Sequence, residues 1–130
     1  MHISFAWTAP AFIARRKRCT RRDWPDHYAE RFPIGSEHVA TSRQLRYGGH
    51  PIGTLGILDI YKEDTALIPD SDWEAEGFAY LTGIGARCGK LTPREIWDDW
   101  HEHPRILWVV RFDPLSIAVP TTGDLFAPRN

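Results

Sequence analysis

Two groups of residues in this chain have side chains whose types and spacing can do chemistry. The first is Lys17-x-x-Thr20-x-Arg22. A lysine amine beside a threonine hydroxyl is a base beside a nucleophile, provided that the amine gives up its proton. Neighbouring positive charge lowers a lysine pKa toward that state, and Arg15, Arg16, Arg18, Arg21 and Arg22 crowd Lys17 along the chain. In extended backbone, residues 18, 20 and 22 share one face and residues 17, 19 and 21 the other. Lys17 therefore reaches Thr20 only if a preceding helix ends near Lys17. The plainer reading of the same stretch, six basic residues in the eight from 15 to 22, is a solvated segment that binds phosphate or nothing.

The second group is Asp70, Asp72, Glu74 and Glu76. Acids in the first turn of a helix are stabilised by its dipole, which accounts for the first three. Glu76 stands just before Gly77-Phe78 and is not accounted for in that way. A carboxylate there is suited to pair with Lys17 or Arg22. His101-Glu102-His103 sits near an expected helix end, where the dipole explains the histidines, and this spacing does not converge on a metal as ligands must. No metal or cofactor is expected, and the chain has no P-loop, GxGxxG, paired CxxC or GxSxG pattern.

These groups sit in a chain of 130 residues, 42% apolar and 25% charged, the composition of one globular domain rather than a coiled coil or a disordered tail. No apolar run approaches the ~18 residues of a membrane span. Met1-His2-Ile3-Ser4-Phe5 lacks the order of a signal peptide, and Cys19 and Cys88 read as free thiols, so a cytoplasmic protein without a membrane partner is expected. The net charge of −1 is unevenly spread: nine Lys/Arg face four Asp/Glu in residues 1–50, and four face eleven in residues 51–104. A basic front in a neutral chain suggests an anion-binding face, and internal pairing of the two halves explains it equally well.

The elements that must position these residues follow from periodicity and caps. Residues 3–7 alternate as a short strand, and Thr8 with Pro10 opens one or two helical turns. Asp26 starts a short helix closed by Pro33, and residues 39–41 fit a strand. Tyr47-Gly48-Gly49-His50 reads as a hairpin turn into the long β-type segment 52–61, where Gly53 and Gly56 suggest bulges. A capped helix is expected from Asp72 to about Tyr80, and Thr92-Pro93-x-Glu95 is a capping box for another that stops at Pro104. Residues 106–112 are the clearest strand. The fold class is α+β, with a sheet curled into a small barrel and helices outside; residues 1–113 form the domain and 114–130 a loosely ordered tail.

The run from Ile3-Ser4-Phe5 to Lys17-x-x-Thr20-x-Arg22 resembles the opening of ASCH domains in the PUA-like superfamily, whose hallmark is Gly-x-Lys-x-x-Glu-x-Arg. The pattern from Val39 to Tyr61, Glu76-Gly77-Phe78 and the closing strand Trp108-Val109-Val110-Arg111-Phe112 are similar too, so the resemblance covers about residues 2–112. Arg15 stands at the hallmark glycine and Thr20 at the hallmark glutamate. The second departure resembles the ASCH branch that hydrolyses 4-acetylcytidine, which carries Lys-x-x-Thr-x-Arg.

The resemblance implies a small β-barrel with helices over its open end and a cleft beside the first helix for a nucleoside, a nucleotide or single-stranded RNA. It implies a catalytic set of Lys17, Thr20 and Glu76, with Glu74 as the other register. Arg22 and Arg21 would then bind substrate, and Trp24 or Trp7 would stack on the base. The expected activity is removal of an acyl group from the exocyclic amine of cytidine. A non-catalytic RNA-binding or modified-base-binding module and a ribonuclease use the same cleft.

Overall fold

A computed structural model describes residues 1–118. The expected α+β class holds. Five strands form one sheet: β1 (His2–Ser4), β2 (Cys19–Arg22), β3 (Glu37–Thr41), β4 (Pro51–Asp64) and β5 (Ile106–Ile117), in the order β1-β3-β4-β5-β2. Only β1 and β3 run parallel; the other pairs are antiparallel. Register shifts at Thr54/Leu55 and Ile57/Asp59 bend β4 on either side of Gly56, as the glycines in this segment led one to expect.

The expected closed barrel is not formed. Among the described residues β1 and β2 are the edges of the sheet, three and four residues long, and no ladder joins them; a side chain does, Arg22 of β2 donating from Nη2 to the Ser4 carbonyl of β1 at 2.7 Å. The sheet thus curls until its edges lie one arginine apart. The boundary expected at residue 113 falls inside β5, whose pairing with β4 continues to Ile117; residues 119–130 of the expected tail lie outside the described residues.

The helices are α1 (Ala9–Ile13), α2 (Asp26–Ala29), α3 (Asp72–Ala75), α4 (Phe78–Gly83) and α5 (Pro93–Glu102). Thr8 precedes α1 but does not cap it with its side chain, because its hydroxyl donates back to the Phe5 carbonyl. The capping box of α5 is present, with Thr92 Oγ1 accepting from Glu95 N–H and Glu95 Oε1 accepting from Thr92 N–H. The single helix expected from Asp72 to Tyr80 is broken in two at Gly77, whose φ of +85° is left-handed. Two apolar clusters result. One packs Phe5, Phe12, Phe32, Leu55 and Phe112 against the sheet; the other packs Ala11, Phe78, Leu81, Trp97 and Trp100 among the helices.

Two left-handed residues set the seam between the clusters. At the end of α1, Arg15 has φ +61°. Its N–H bonds Phe12 O and the Arg16 N–H bonds Ala11 O, the paired bonds of a Schellman helix end, where glycine is the usual residue. Arg15 therefore takes a left-handed conformation that glycine adopts without cost. At Gly77 a Cβ would lie 2.6 Å from Ala11 Cβ and 3.3 Å from Lys17 Cβ.

These positions carry different expectations. Arg15→Gly relieves a left-handed strain of about 1–2 kcal/mol, adds back about 0.5–1 kcal/mol of unfolded-chain entropy and gives up the bond from Arg15 Nη1 to the Pro114 carbonyl, worth about 0.5–1.5 kcal/mol. These contributions nearly cancel, so urea denaturation should show a change of no more than about 1 kcal/mol. Gly77→Ala adds the same strain to an overpacked seam and should cost about 2–4 kcal/mol. A neutral Gly77→Ala would show that the seam is slack.

Candidate functional site

Lys17 leaves the Schellman turn and enters the protein interior. Its N–H shares Ala11 O, and the next residue is clipped to α3 by Arg18 N–H donating to Ala75 O at 2.7 Å. These bonds bring Lys17 against Glu76, fifty-nine positions later. Nζ donates to the Glu76 carbonyl at 2.8 Å and to Glu76 Oε1 at 3.2 Å. Both side chains are almost wholly buried, at 1% and 3% exposure. An ammonium has three donors, so Glu76 uses two and leaves one. Burial pulls the Lys17 ammonium below the ordinary lysine value, with the Glu76 carboxylate opposing.

Glu76 is shared. Its other oxygen, Oε2, accepts from Arg21 Nη1 at 2.7 Å. Arg21 also pairs with Asp72 and with Glu63, so one buried guanidinium holds three carboxylates. Asp72 in turn holds Arg111, at 3.0 and 2.9 Å. Arg21, expected to bind substrate, is thus engaged within the protein. Burial works against its charge, and the carboxylates around it more than offset this and raise its pKa. The same is true in mirror image of Asp72: burial raises its carboxyl, and bonds from Arg111 and Arg21 hold it below the usual range. Cys19 lies within 3.6 Å of both Glu76 Oε2 and Arg21 Nη1, but burial pushes its thiol far up, so it is no nucleophile.

Glu74, the other register, points outward and pairs with Arg16 on the surface. Thr20 is buried on the opposite face of β2, and its Oγ1 accepts from Arg22 Nε at 3.0 Å. Lys17 and Thr20 make no hydrogen bond to each other. They line one cavity of about 230 Å³ together with Glu76, Arg21, Arg22 and Trp7. Its apolar wall combines Phe5 of the sheet cluster with Phe78 and Trp100 of the helical one, so the cavity opens at the seam. Ala6, left-handed at φ +48°, borders it as well. Trp7 is half-buried against Phe78, with ring centroids 5.6 Å apart. Trp24 is not in this cavity. It stacks on Phe32 at 4.6 Å and lines a second, larger cavity next to the first.

No family model and no curated protein matches the chain. Among solved structures it is similar to a crystal structure of protein EF3133 from Enterococcus faecalis V583, described as belonging to the family DUF984. The TM-score is 0.53 at 13% identity, covering 88% of this chain and 73% of that one. The likeness is one of fold. Among the described residues no helix is long and apolar enough to cross a membrane, and no three His, Cys, Asp or Glu side chains are grouped to hold a metal.

Sequence reasoning placed Asp72 among helix-start acids and did not single out Glu63 or Arg111; Asp72 and Glu63 hold Arg21 and through it Glu76, and Arg111 holds Asp72. The opposite charge of the two halves was the available signal. Among the described residues, five ion pairs join basic residues of 1–50 to acidic residues of 51–104, so internal pairing absorbs part of the basic front.

Glu76→Gln leaves Lys17 and Arg21 buried without their shared anion and should cost about 3–5 kcal/mol in urea denaturation. Acid should act through Asp72. Its folded pKa is depressed, so its contribution is complete above the unfolded value of about 3.9 and is lost as pH falls below that through the folded value. Urea midpoints measured from pH 7 to pH 3 should fall below pH ~4 in the wild type. Asp72→Asn should start lower and fall less.

Proposed function

We propose that this chain is a nucleotide-binding protein of the ASCH, PUA-like kind that removes an acyl group from the exocyclic amine of cytidine. In that reading the open curled sheet corresponds to the small barrel of the family. The observation that carries the proposal is Lys17: an ammonium buried to 1%, held by Glu76 at the end of a cavity that also contains Thr20. Burying a lysine is costly, and burial lowers the Lys17 pKa toward the free amine that a base must be.

The steps follow from the side chains. Lys17, as the free amine, takes the Thr20 proton, and the hydroxyl oxygen attacks the acyl carbonyl. Arg22, which already donates to Thr20 Oγ1, stabilises the negative charge that develops there and on the carbonyl oxygen. The bond from the acyl carbon to the exocyclic nitrogen breaks, and that nitrogen leaves with the proton from Lys17. Water, deprotonated by Lys17, then attacks the threonine ester; the acyl–oxygen bond breaks, the acid is released, and the Thr20 oxygen recovers its proton from the Lys17 ammonium. Glu76 orients the amine throughout. A hydrogen bond from the Thr20 hydroxyl to the lone pair of the Lys17 amine must form when substrate enters. The site suits a base and its acyl group, and the protein is expected in the cytoplasm, where its two thiols stay reduced.

A second reading has its own observation. Thr20 is bonded to Arg22 and not to Lys17, an arrangement that suits a binding module recognising a nucleotide or single-stranded RNA without chemistry.

Chromatography of 4-acetylcytidine after incubation with the protein separates the two. The amidohydrolase releases cytidine. Thr20→Ser retains activity, Thr20→Ala abolishes it, and Lys17→Arg abolishes it because guanidinium stays protonated. Losing either residue should cost nearly as much as losing both. The rate should rise with pH as Lys17 deprotonates, along a limb below the ordinary lysine value of about 10.4. No release by the wild type, with nucleotide binding intact in Lys17→Arg, establishes the binding module. Release that survives Thr20→Ala removes Thr20 as nucleophile.

A further inference from the structure

The larger cavity, about 590 Å³, adjoins the first, and Ser4 and Arg22 line both. Its charge is one-sided. His2, Arg22 and Arg46 line it, and no Asp or Glu does. Arg22 bonds only neutral acceptors, Thr20 Oγ1 and the Ser4 carbonyl, whereas Arg21 beside it in the chain holds three carboxylates. Arg46 likewise has no carboxylate partner: it bonds the Gln44 side-chain carbonyl at 3.1 Å and lies over the Tyr47 ring. Arg22 is partly desolvated and Arg46 stands exposed at the rim, and neither has a carboxylate partner among the described residues, so both are open to an incoming anion. Trp24 and Tyr28, packed edge to face at 70°, supply aromatic lining, with the Arg22 guanidinium 6.0 Å from the centre of the Trp24 ring.

Volume points the same way. Pockets that enclose whole small ligands run to about 300–1,000 Å³. The Lys17–Thr20 cavity, at about 230 Å³, is below that range and the cavity beside it is within it. A base with its acyl group fits the first, and the sugar and whatever it carries must then extend past Arg22 into the second.

We infer that the second cavity is a phosphate subsite, with Arg46 as its anchor and Arg22 as the wall it shares with the first, so that the ligand of this protein is a phosphorylated nucleotide and not a free nucleoside. The identity of the base as cytidine rests on the proposed function; the phosphate does not. Trp24 and Tyr28 pack against the sugar or a flanking base. Terminal phosphate and the phosphodiester of a strand offer the same chemistry to Arg46.

Calorimetric titration of the full chain at low salt with cytidine, cytidine 5′-monophosphate and the dinucleotide CpC tests this. At least one phosphate-bearing ligand should bind roughly tenfold or more tightly than cytidine, the contribution of a charge-assisted bond. Arg46→Gln, an exposed loop position, should remove most of that ratio. Circular dichroism checks its fold, and Arg46→Lys, which keeps the charge, should restore part of the ratio. A gain confined to the monophosphate assigns the cavity to a terminal phosphate, and one confined to CpC assigns it to a strand; both uphold the subsite. Equal affinity for all three ligands, no saturable binding of either phosphate-bearing one, or a ratio unchanged in Arg46→Gln overturns it. Loss of the amidohydrolase reading leaves a phosphate-dependent gain standing. Conversely, hydrolysis of free 4-acetylcytidine with the same kcat/KM as its 5′-monophosphate overturns the subsite and leaves the amidohydrolase.

Discussion

Everything at the seam of this protein depends on one buried carboxylate. Glu76 accepts Lys17 on one oxygen and Arg21 on the other, with all three side chains at 3% exposure or less. Removing such charges from water costs several kcal/mol for each ion, and only close, well-directed partners offset it. The cluster meets that condition by balance. Lys17, Arg21 and Arg111 face Glu76, Asp72 and Glu63, three cations against three anions. Such a cluster specifies the relative placement of α3, β2, β4 and β5 because no member can move without stranding another.

The backbone is arranged to make that carboxylate reachable. Gly77 breaks what would be one helix and allows α4 to start in a new direction, so that Glu76 points inward while Glu74 stays on the surface. Arg15 ends α1 in a conformation costly for its type, which drops Lys17 inward beside that break. Two left-handed non-glycine residues, Ala6 and Arg15, thus stand near the seam between the sheet cluster and the helical cluster, where the smaller cavity opens. Strain concentrated next to a cavity with buried charge is the pattern of a functional site rather than of a structural core.

Arg22 occupies a different electrostatic position from its neighbours. It bridges the two sheet edges through Ser4, touches the Thr20 hydroxyl and has no carboxylate of its own. One side chain thus closes the fold, polarises the candidate nucleophile and presents the charge between the two cavities. That combination explains why the sheet can stay open: the contact that would be made by a ladder is made by a group that a ligand can also use.

The amino-acid sequence by itself determined the α+β class, the capped helix at Thr92, the long bent strand after the glycines and the closing strand, because caps, turn residues and periodicity act over a few neighbouring residues. It also offered Lys17, Thr20 and Glu76 or Glu74 as candidates, grouped into one set by the resemblance to ASCH domains rather than by spacing. Tertiary structure alone decided the rest. It chose Glu76 over Glu74, since which of two acids faces inward depends on a left-handed break at Gly77 whose need arises from Ala11 and Lys17, some sixty positions earlier. It made Arg21 the holder of Glu76, put Trp24 and Trp7 in different cavities, and left the sheet open among the described residues. Each of these outcomes is a sum of contacts between distant segments, and charge pairing and close packing have no period along the chain from which they could be read.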